Sequence, residues 1–139
     1  MCTGIKINYD DGCVVGRTMD YEVPLKYNVI YLPRNYHYSN DLIGEPLYTK
    51  YKALGLCFEN RSPLKDGVNE HGLIGITNEF TGFNLYSNKI NSEKVNISSL
   101  YYLNYALTKY KNVDELIEDL PNIHISTRDS KGENVICPD

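Results

Sequence analysis

Tryptophan is absent from the 139-residue chain, and so are long apolar runs, blocks of like charge and paired cysteines. No apolar stretch approaches the roughly 18 residues that a membrane helix needs, so we expect no membrane as a partner. The 18 acidic and 14 basic residues give a net charge of -4 and are scattered along the chain. Because nucleic acids and anionic surfaces bind clustered Lys and Arg, we expect no nucleic acid partner either.

The cysteines and histidines also lack the spacing of a metal site. Structural zinc sites use closely spaced pairs of these residues, and the chain has no Cys-x-x-Cys pair. We therefore predict no metal, and no other pattern indicates a cofactor. No charged and then apolar leader precedes the first cysteine, which predicts a cytoplasmic chain with free thiols. The four cysteines are Cys2, Cys13, Cys57 and Cys137.

The chain does contain a clear alternation of apolar and polar residues at its start. Thr3 to Tyr9 alternate, Asp10 to Gly12 supply turn residues, and Cys13 to Gly16 form a second apolar run. This pattern predicts a β-hairpin that brings Arg17 back beside the N-terminus. Further strands are predicted at 28–32, 51–58 and 73–77, with a surface loop at 35–46 and a turn at 67–72.

Helical spacing appears only in the second half. Leu100, Leu103 and Leu107 share one helix face after a cap at Ser98 or Ser99. A second helix is predicted from the Asn112 cap, with Glu115 three residues later, to Pro121. Strands followed by helices indicate an α+β fold. No linker or repeat divides the sequence, so residues 1–139 are interpreted as one domain.

Cys2 is the candidate nucleophile. Removal of Met1 would leave a residue that carries both a thiol and a free α-amine. An α-amine has a reference pKa of about 8 and can accept the thiol proton, so such a residue can serve as its own base. The alternative is a chance cysteine, because structural thiols outnumber reactive ones.

Arg17 and Asp20 are the second pair of candidates. The predicted hairpin returns them to the N-terminus, where a carboxylate could hold the α-amine and a guanidinium could favour the thiolate. A surface ion pair after a strand is the alternative interpretation, and such pairs contribute little.

Six segments in order resemble the choloylglycine (bile salt) hydrolase and penicillin V acylase family of N-terminal nucleophile hydrolases. They are Met1-Cys2-Thr3-Gly4, the run 16–22 (GRTMDYE), 29–34 (VIYLPR), 49–51 (TKY), 66–73 (DGVNEHGL) and 94–98 (KVNIS). The resemblance implies a four-layer αββα sandwich and a processed Cys2 that attacks linear amides, such as those of conjugated bile salts, penicillin V or N-acyl amino acids. Arg17 and Asp20 would orient it.

The resemblance also implies an oxyanion-hole asparagine after the 66–73 segment. Without a gap, Glu79 falls at that position and Asn78 falls one residue early, and a shift of one residue reverses the face of a strand. We take Asn78 as the candidate, and Glu79 remains the alternative.

Family chains continue well beyond this length, so the sandwich is interpreted as truncated. An uncovered sheet would need a homo-oligomer or a partner chain that supplies the missing half. The sequence thus supports two functions: a cysteine hydrolase of a small-molecule amide substrate, or an inactive family remnant that folds as an oligomer or binding module.

Overall fold

The computed structural model describes residues 2–21, 24–38, 47–59, 63–78, 83 and 86–127. Cys137, Glu79 and residues 39–46 of the predicted loop lie outside this part. The strands are β1 (Gly4–Tyr9), β2 (Gly12–Arg17), β3 (Tyr27–Leu32), β4 (His37–Tyr38), β5 (Leu47–Tyr48), β6 (Ala53–Phe58), β7 (Leu64–Asn69), β8 (Ile74–Ile76), β9 (Val95–Ser98) and β10 (Ile123–Ser126). The helices are α1 (Tyr102–Lys109) and α2 (Val113–Asp119).

A four-stranded antiparallel sheet with the order β3-β6-β7-β8 is the centre of the fold. One face packs on α1 through a core of buried apolar side chains, because alternate residues of each strand point to this side. The core consists of Leu32, Ala53, Leu64, Leu103 and Leu107.

Three glycines lie in register across β6, β7 and β8. Gly55 pairs with Gly67, and Gly67 pairs with Gly75. A methyl group on Gly75 would collide with Leu103, and one on Gly67 would lie 3.1 Å from a methyl carbon of Leu107. The absence of side chains in this row therefore sets how closely α1 approaches the sheet.

The opposite face of the sheet is apolar and largely open. Its strand residues form two rows by register, Val29-Leu56-Asp66-Ile76 and Tyr31-Leu54-Val68-Ile74. Val29 is 67% exposed, Tyr31 57% and Leu54 47%. We call these eight residues the outer face. Asp66 is its only charged member.

The predicted N-terminal hairpin is confirmed. β1 and β2 pair from Gly4 opposite Arg17 to Tyr9 opposite Gly12. The hairpin crosses one end of the outer face, where a methyl group on Gly4 would collide with Ile76. Ile5 and Ile7, on the other side of the hairpin, are more than half exposed. The hairpin is thus a two-stranded piece of a second layer on the sheet.

The end of the described chain forms a parallel pair that the sequence did not predict. β9 pairs with β10 through the crossover made by α1 and α2. Here the chain runs from a strand through two helices to a parallel strand. The amino-acid sequence had instead predicted strands first and helices afterwards. The pairing joins residues nearly thirty positions apart, a separation that local periodicity does not reveal.

The second helix begins as predicted. The Asn112 side chain accepts a hydrogen bond of 2.9 Å from the Glu115 N–H, while the Glu115 carboxylate accepts one from the Lys111 N–H. The first helix differs from the prediction. Ser98 ends β9 and makes no cap hydrogen bond, and a 3-10 turn at Ser99–Tyr101 precedes α1.

Two predictions from the sequence are wrong in detail. Residues 67–69 belong to strand β7, so the turn begins only after Asn69, and the predicted loop contains the short strand β4. β7 is inconspicuous because Lys65, Asp66 and Gly67 interrupt its apolar pattern. Among the described helices, none has the length and apolar character to cross a membrane.

Candidate active site

The open end of the hairpin holds Cys2 beside the second strand. The Thr3 N–H donates to the Thr18 hydroxyl at 3.0 Å, and the Thr18 N–H donates to the Thr3 carbonyl at 2.9 Å. These two bonds extend the ladder past Gly4 and Arg17. They fix Cys2, which is partly buried, next to the start of the segment that follows β2.

Arg17 connects this end of the hairpin to the sheet. Its Nη1 donates to the Lys65 carbonyl at 3.0 Å. Lys65 is an extra residue in β7, because Leu56 pairs with Asp66 while the next residue, Cys57, pairs with Leu64. Such β-bulges redirect backbone groups and occur often next to active sites. The same carbonyl also accepts both the N–H and the hydroxyl of Thr77.

Asp66 follows this bulge and lies close to Arg17. Burial raises the pKa of the Asp66 carboxyl, while the Arg17 guanidinium and a hydrogen bond from the Leu56 backbone oppose the rise. A carboxyl on an otherwise apolar face is costly to ionise without a nearby cation. Arg17 is thus the cation that lies nearest in charge effect to the Asp66 carboxyl.

Tyr27 lies at the same corner. It pairs with Phe58 across β3 and β6, with 5.2 Å between the ring centroids, and Tyr21 packs edge-on against Phe58 at 6.1 Å. The Tyr27 hydroxyl is buried and has no hydrogen-bond partner among the described residues. Burial raises the pKa of the Tyr27 hydroxyl most, electrostatic interactions with Tyr21, Cys2 and Asp66 add to the rise, and Arg17 opposes it.

The other two predicted site residues follow β8 and β2 in the chain. Asn78 follows β8, and its amide nitrogen lies 3.9 Å from the point that a Cβ on Gly4 would occupy. Asp20 is exposed, two residues beyond Thr18. The structure thus places Asn78 near the first hairpin strand and Asp20 beyond the second. The pairing of Asp20 with Cys2 and the choice between Asn78 and Glu79 both stay predictions.

A groove of about 420 Å³ begins at this corner and runs between the hairpin and the sheet. Its lining is apolar except for one cation and one carboxyl. The lining includes Val15, Arg17, Val29, Leu56, Asp66 and Ile76. This arrangement could hold an apolar group next to the two charged side chains.

The other described cysteines lie in different surroundings. Burial raises the pKa of the Cys57 thiol, which contacts the Asn28 carbonyl at 3.6 Å, so Cys57 stays protonated. Cys13 is a partly buried thiol in the hairpin. Among the described residues, no three His, Cys, Asp or Glu side chains group closely enough to hold a metal ion.

The sequence matches the family described as linear amide C-N hydrolases, choloylglycine hydrolase family, over residues 2–135. The chain belongs to this family. A bile salt hydrolase/transferase from Clostridium perfringens is 34% identical over 128 residues, which cover 90% of this chain and 39% of that protein. A bile salt hydrolase/transferase from Bifidobacterium longum is 26% identical over 137 residues, or 96% of this chain and 43% of that protein.

Solved structures show the same fold. The C2A variant of conjugated bile acid hydrolase from C. perfringens superposes with a TM-score of 0.81 at 32% identity, over 91% of this chain and 40% of that one. Penicillin V acylase from Agrobacterium tumefaciens superposes with a TM-score of 0.72 at 20% identity, over 91% and 40%. The predicted N-terminal nucleophile hydrolase fold is thereby confirmed, and the chain spans about 40% of the length of these relatives.

Proposed function

We propose that this chain carries the nucleophile of a cysteine hydrolase that cleaves linear amide C–N bonds. The observation that carries the proposal is the corner where the hairpin ladder holds Cys2 beside an Arg17 that is fixed to the Lys65 carbonyl. The substrate classes are conjugated bile salts, penicillin V and N-acyl amino acids. A cytoplasmic location would keep the cysteines as thiols.

The reaction follows from the groups that Met1 removal would create. The Cys2 α-amine takes the thiol proton, and the thiolate attacks the amide carbonyl carbon. The C–N bond of the resulting tetrahedral intermediate breaks, the amine leaves with the proton, and a thioester remains. Water then attacks the thioester, which releases the acid and restores the thiol. Asn78 is the proposed donor to the oxyanion, and Asp20 the proposed partner of the α-amine.

Cys2 should react with iodoacetamide at least about tenfold faster than Cys13 at about pH 6, since a nearby cation increases the thiolate fraction by roughly tenfold per pK unit. Intact mass before and after labelling would report both Met1 removal and the number of modified thiols. Peptide mapping would assign the site.

Two variants make this comparison decisive. Cys2→Ser should remove the fast phase of the iodoacetamide reaction, and Cys13→Ser should leave that phase unchanged. Retention of Met1, or equal rates at Cys2 and Cys13, would contradict the proposed nucleophile and favour the second candidate, an inactive family remnant that acts as an oligomer or binding module.

We also propose that a further polypeptide covers the outer face and completes the sandwich. Aligned packing of two apolar sheet faces is the ordinary way to bury such a surface, and the hairpin already supplies two strands of the second layer. The proposed occupant is the rest of a family-length domain rather than a second copy of this chain. The relatives' greater length supports this choice.

The first test mixes this chain with the part of the C. perfringens relative that lies outside the match. Light scattering after gel filtration should show a one-to-one complex. Leu54→Lys, at the centre of the outer face, should abolish the complex because a buried unpaired charge is costly. Ile117→Lys is the matched control, since Ile117 is exposed on α2. Self-association alone would indicate a second copy instead, and a stable monomer without binding would contradict both occupants.

A further inference from the structure

One backbone carbonyl joins three segments of the candidate site. The Lys65 carbonyl accepts hydrogen bonds from Arg17 Nη1 at 3.0 Å, from the Thr77 N–H at 2.9 Å and from the Thr77 hydroxyl at 2.9 Å. Arg17 ends β2, Lys65 lies in β7, and Thr77 directly follows β8. The hairpin and the end of β8 are therefore held by the same oxygen atom.

The bulge makes the Thr77 bonds the main constraint on that oxygen. Lys65 is the extra residue of the bulge and has no paired residue on β6. Such a residue is left out of the regular ladder, so the ladder with β6 does not set the direction of its carbonyl. On the β8 side, Thr77 supplies two donors, and its branched side chain is stiff about χ1. Thr77 thus fixes the direction in which the Lys65 carbonyl points.

Arg17 and Cys2 lie on the same face of the hairpin. Gly4 is opposite Arg17, and residues that are opposite each other share a face. The ladder continues through Thr3, so the strand alternation puts Cys2 on the face of Gly4. Diagonal neighbours of this kind lie within reach of a long side chain. A guanidinium that is anchored at the bulge therefore stays on the Cys2 side of the hairpin.

We propose that Thr77 is a positioning residue: its hydroxyl orients the Lys65 carbonyl that anchors the Arg17 guanidinium. This inference rests on the proposed function, because there Arg17 stabilises the Cys2 thiolate. Thr77 acts through Arg17 and makes no contact with the reacting atoms. Since Asn78 is the next residue, the same carbonyl also ties the proposed oxyanion donor to the hairpin.

The test is the pH profile of Cys2 alkylation in the full chain after Met1 removal. Thr77→Val keeps the branched shape and the N–H donor and loses only the hydroxyl. The midpoint of the profile should move up by about half a pH unit, which slows alkylation near pH 6 by roughly threefold. This shift should be smaller than that of Arg17→Gln, because the charge is still present. Thr77→Ser keeps the hydroxyl and should restore the midpoint.

The double variant Arg17→Gln/Thr77→Val separates positioning from a structural role. If Thr77 acts through Arg17, its substitution should add no further shift to that of Arg17→Gln, since coupled residues are not additive. Thr108→Val is the matched control. The Thr108 hydroxyl donates to the Asn104 carbonyl at 2.7 Å within α1, so its loss should lower the melting temperature and leave the midpoint unchanged.

Two results would overturn the positioning role: an unchanged midpoint in Thr77→Val, or a shift that adds fully to that of Arg17→Gln. A downward shift would overturn it as well, because the hydroxyl would then compete with Arg17 for the carbonyl. Slow alkylation of Cys2 in the unsubstituted chain would overturn the proposed nucleophile instead. The melting temperatures of the single and double variants would still decide whether Thr77 and Arg17 act as one unit.

Discussion

Replacing Arg17 with Gln should slow alkylation of Cys2 near pH 6 by about 10- to 100-fold, because the cation that we propose stabilises a thiolate there is lost. Gln carries no charge and is too short to reach the Lys65 carbonyl from the position of Nη1, so the variant removes the charge and the hydrogen bond together. The midpoint of the alkylation profile should shift to higher pH, whereas a purely structural role would lower the melting temperature and leave that midpoint unchanged.

The same substitution should also affect Asp66. The Arg17 guanidinium opposes the rise in the pKa of that carboxyl, so its removal should raise the pKa further. NMR titration of the Asp66 side chain would measure the change directly. The two readouts together test whether one cation serves both the nucleophile and the outer face.

Arg34→Gln provides the matched control for Arg17. Arg34 pairs with the Glu70 carboxylate at 2.8 Å and is half exposed. Its loss should remove the main cause of the low pKa of Glu70, about 2, and leave Cys2 alkylation unchanged. If Arg17→Gln and Arg34→Gln gave equal rates at Cys2, Arg17 would be a structural residue only.

Asn69→Asp should lower the free energy of unfolding by about 3–5 kcal/mol, a large share of the stability of a small domain. The Asn69 side chain is 5% exposed and makes four hydrogen bonds. Its nitrogen donates to the carbonyls of Leu107 and Tyr110 at 2.9 and 2.7 Å, while its oxygen accepts from the N–H groups of His71 and Leu73. Asp keeps the two acceptor bonds and loses both donor bonds.

Urea unfolding followed by circular dichroism would measure the loss, with Asn8→Asp as the control. Asn8 is exposed in the hairpin, so the same change should cost less than about 0.5 kcal/mol there. At about pH 4 the deficit of Asn69→Asp should shrink, because a protonated carboxyl can donate to one of the two carbonyls. A loss below about 1 kcal/mol at neutral pH would show that the carbonyls at the end of α1 do not depend on Asn69.

The sequence predicts the parts of this fold that are local. The hairpin follows from the alternation before Asp10 and the turn after it, and the start of α2 follows from Asn112 and Glu115. β7 was missed because its polar residues have partners far along the chain: Asn69 binds the end of α1, and Asp66 lines the same groove as Arg17. The parallel β9–β10 pair was missed because its two strands are also far apart in the chain.

In the candidate site, too, only the local arrangement could be predicted from the sequence. Cys2 and Arg17 come together through one hairpin, so sequence reasoning could place them side by side. Tyr27 and Asp66 reach that corner only through the pairing of β3, β6 and β7, and the bulge at Lys65 decides which backbone carbonyl meets Arg17. A lone acidic residue on an apolar strand face was the available signal, but the face is apparent only once the register is known.

The glycine row across β6, β7 and β8 limits which substitutions relatives of this chain can carry. At Gly75 the obstacle is the flexible end of Leu103, so a smaller residue at position 103 would let a side chain enter there later. At Gly55 the obstacle includes the Asp66 carbonyl, a backbone atom that no neighbouring substitution removes. Gly75 can therefore be replaced in evolution only after Leu103 has become smaller. Gly55 has no such route and must remain glycine.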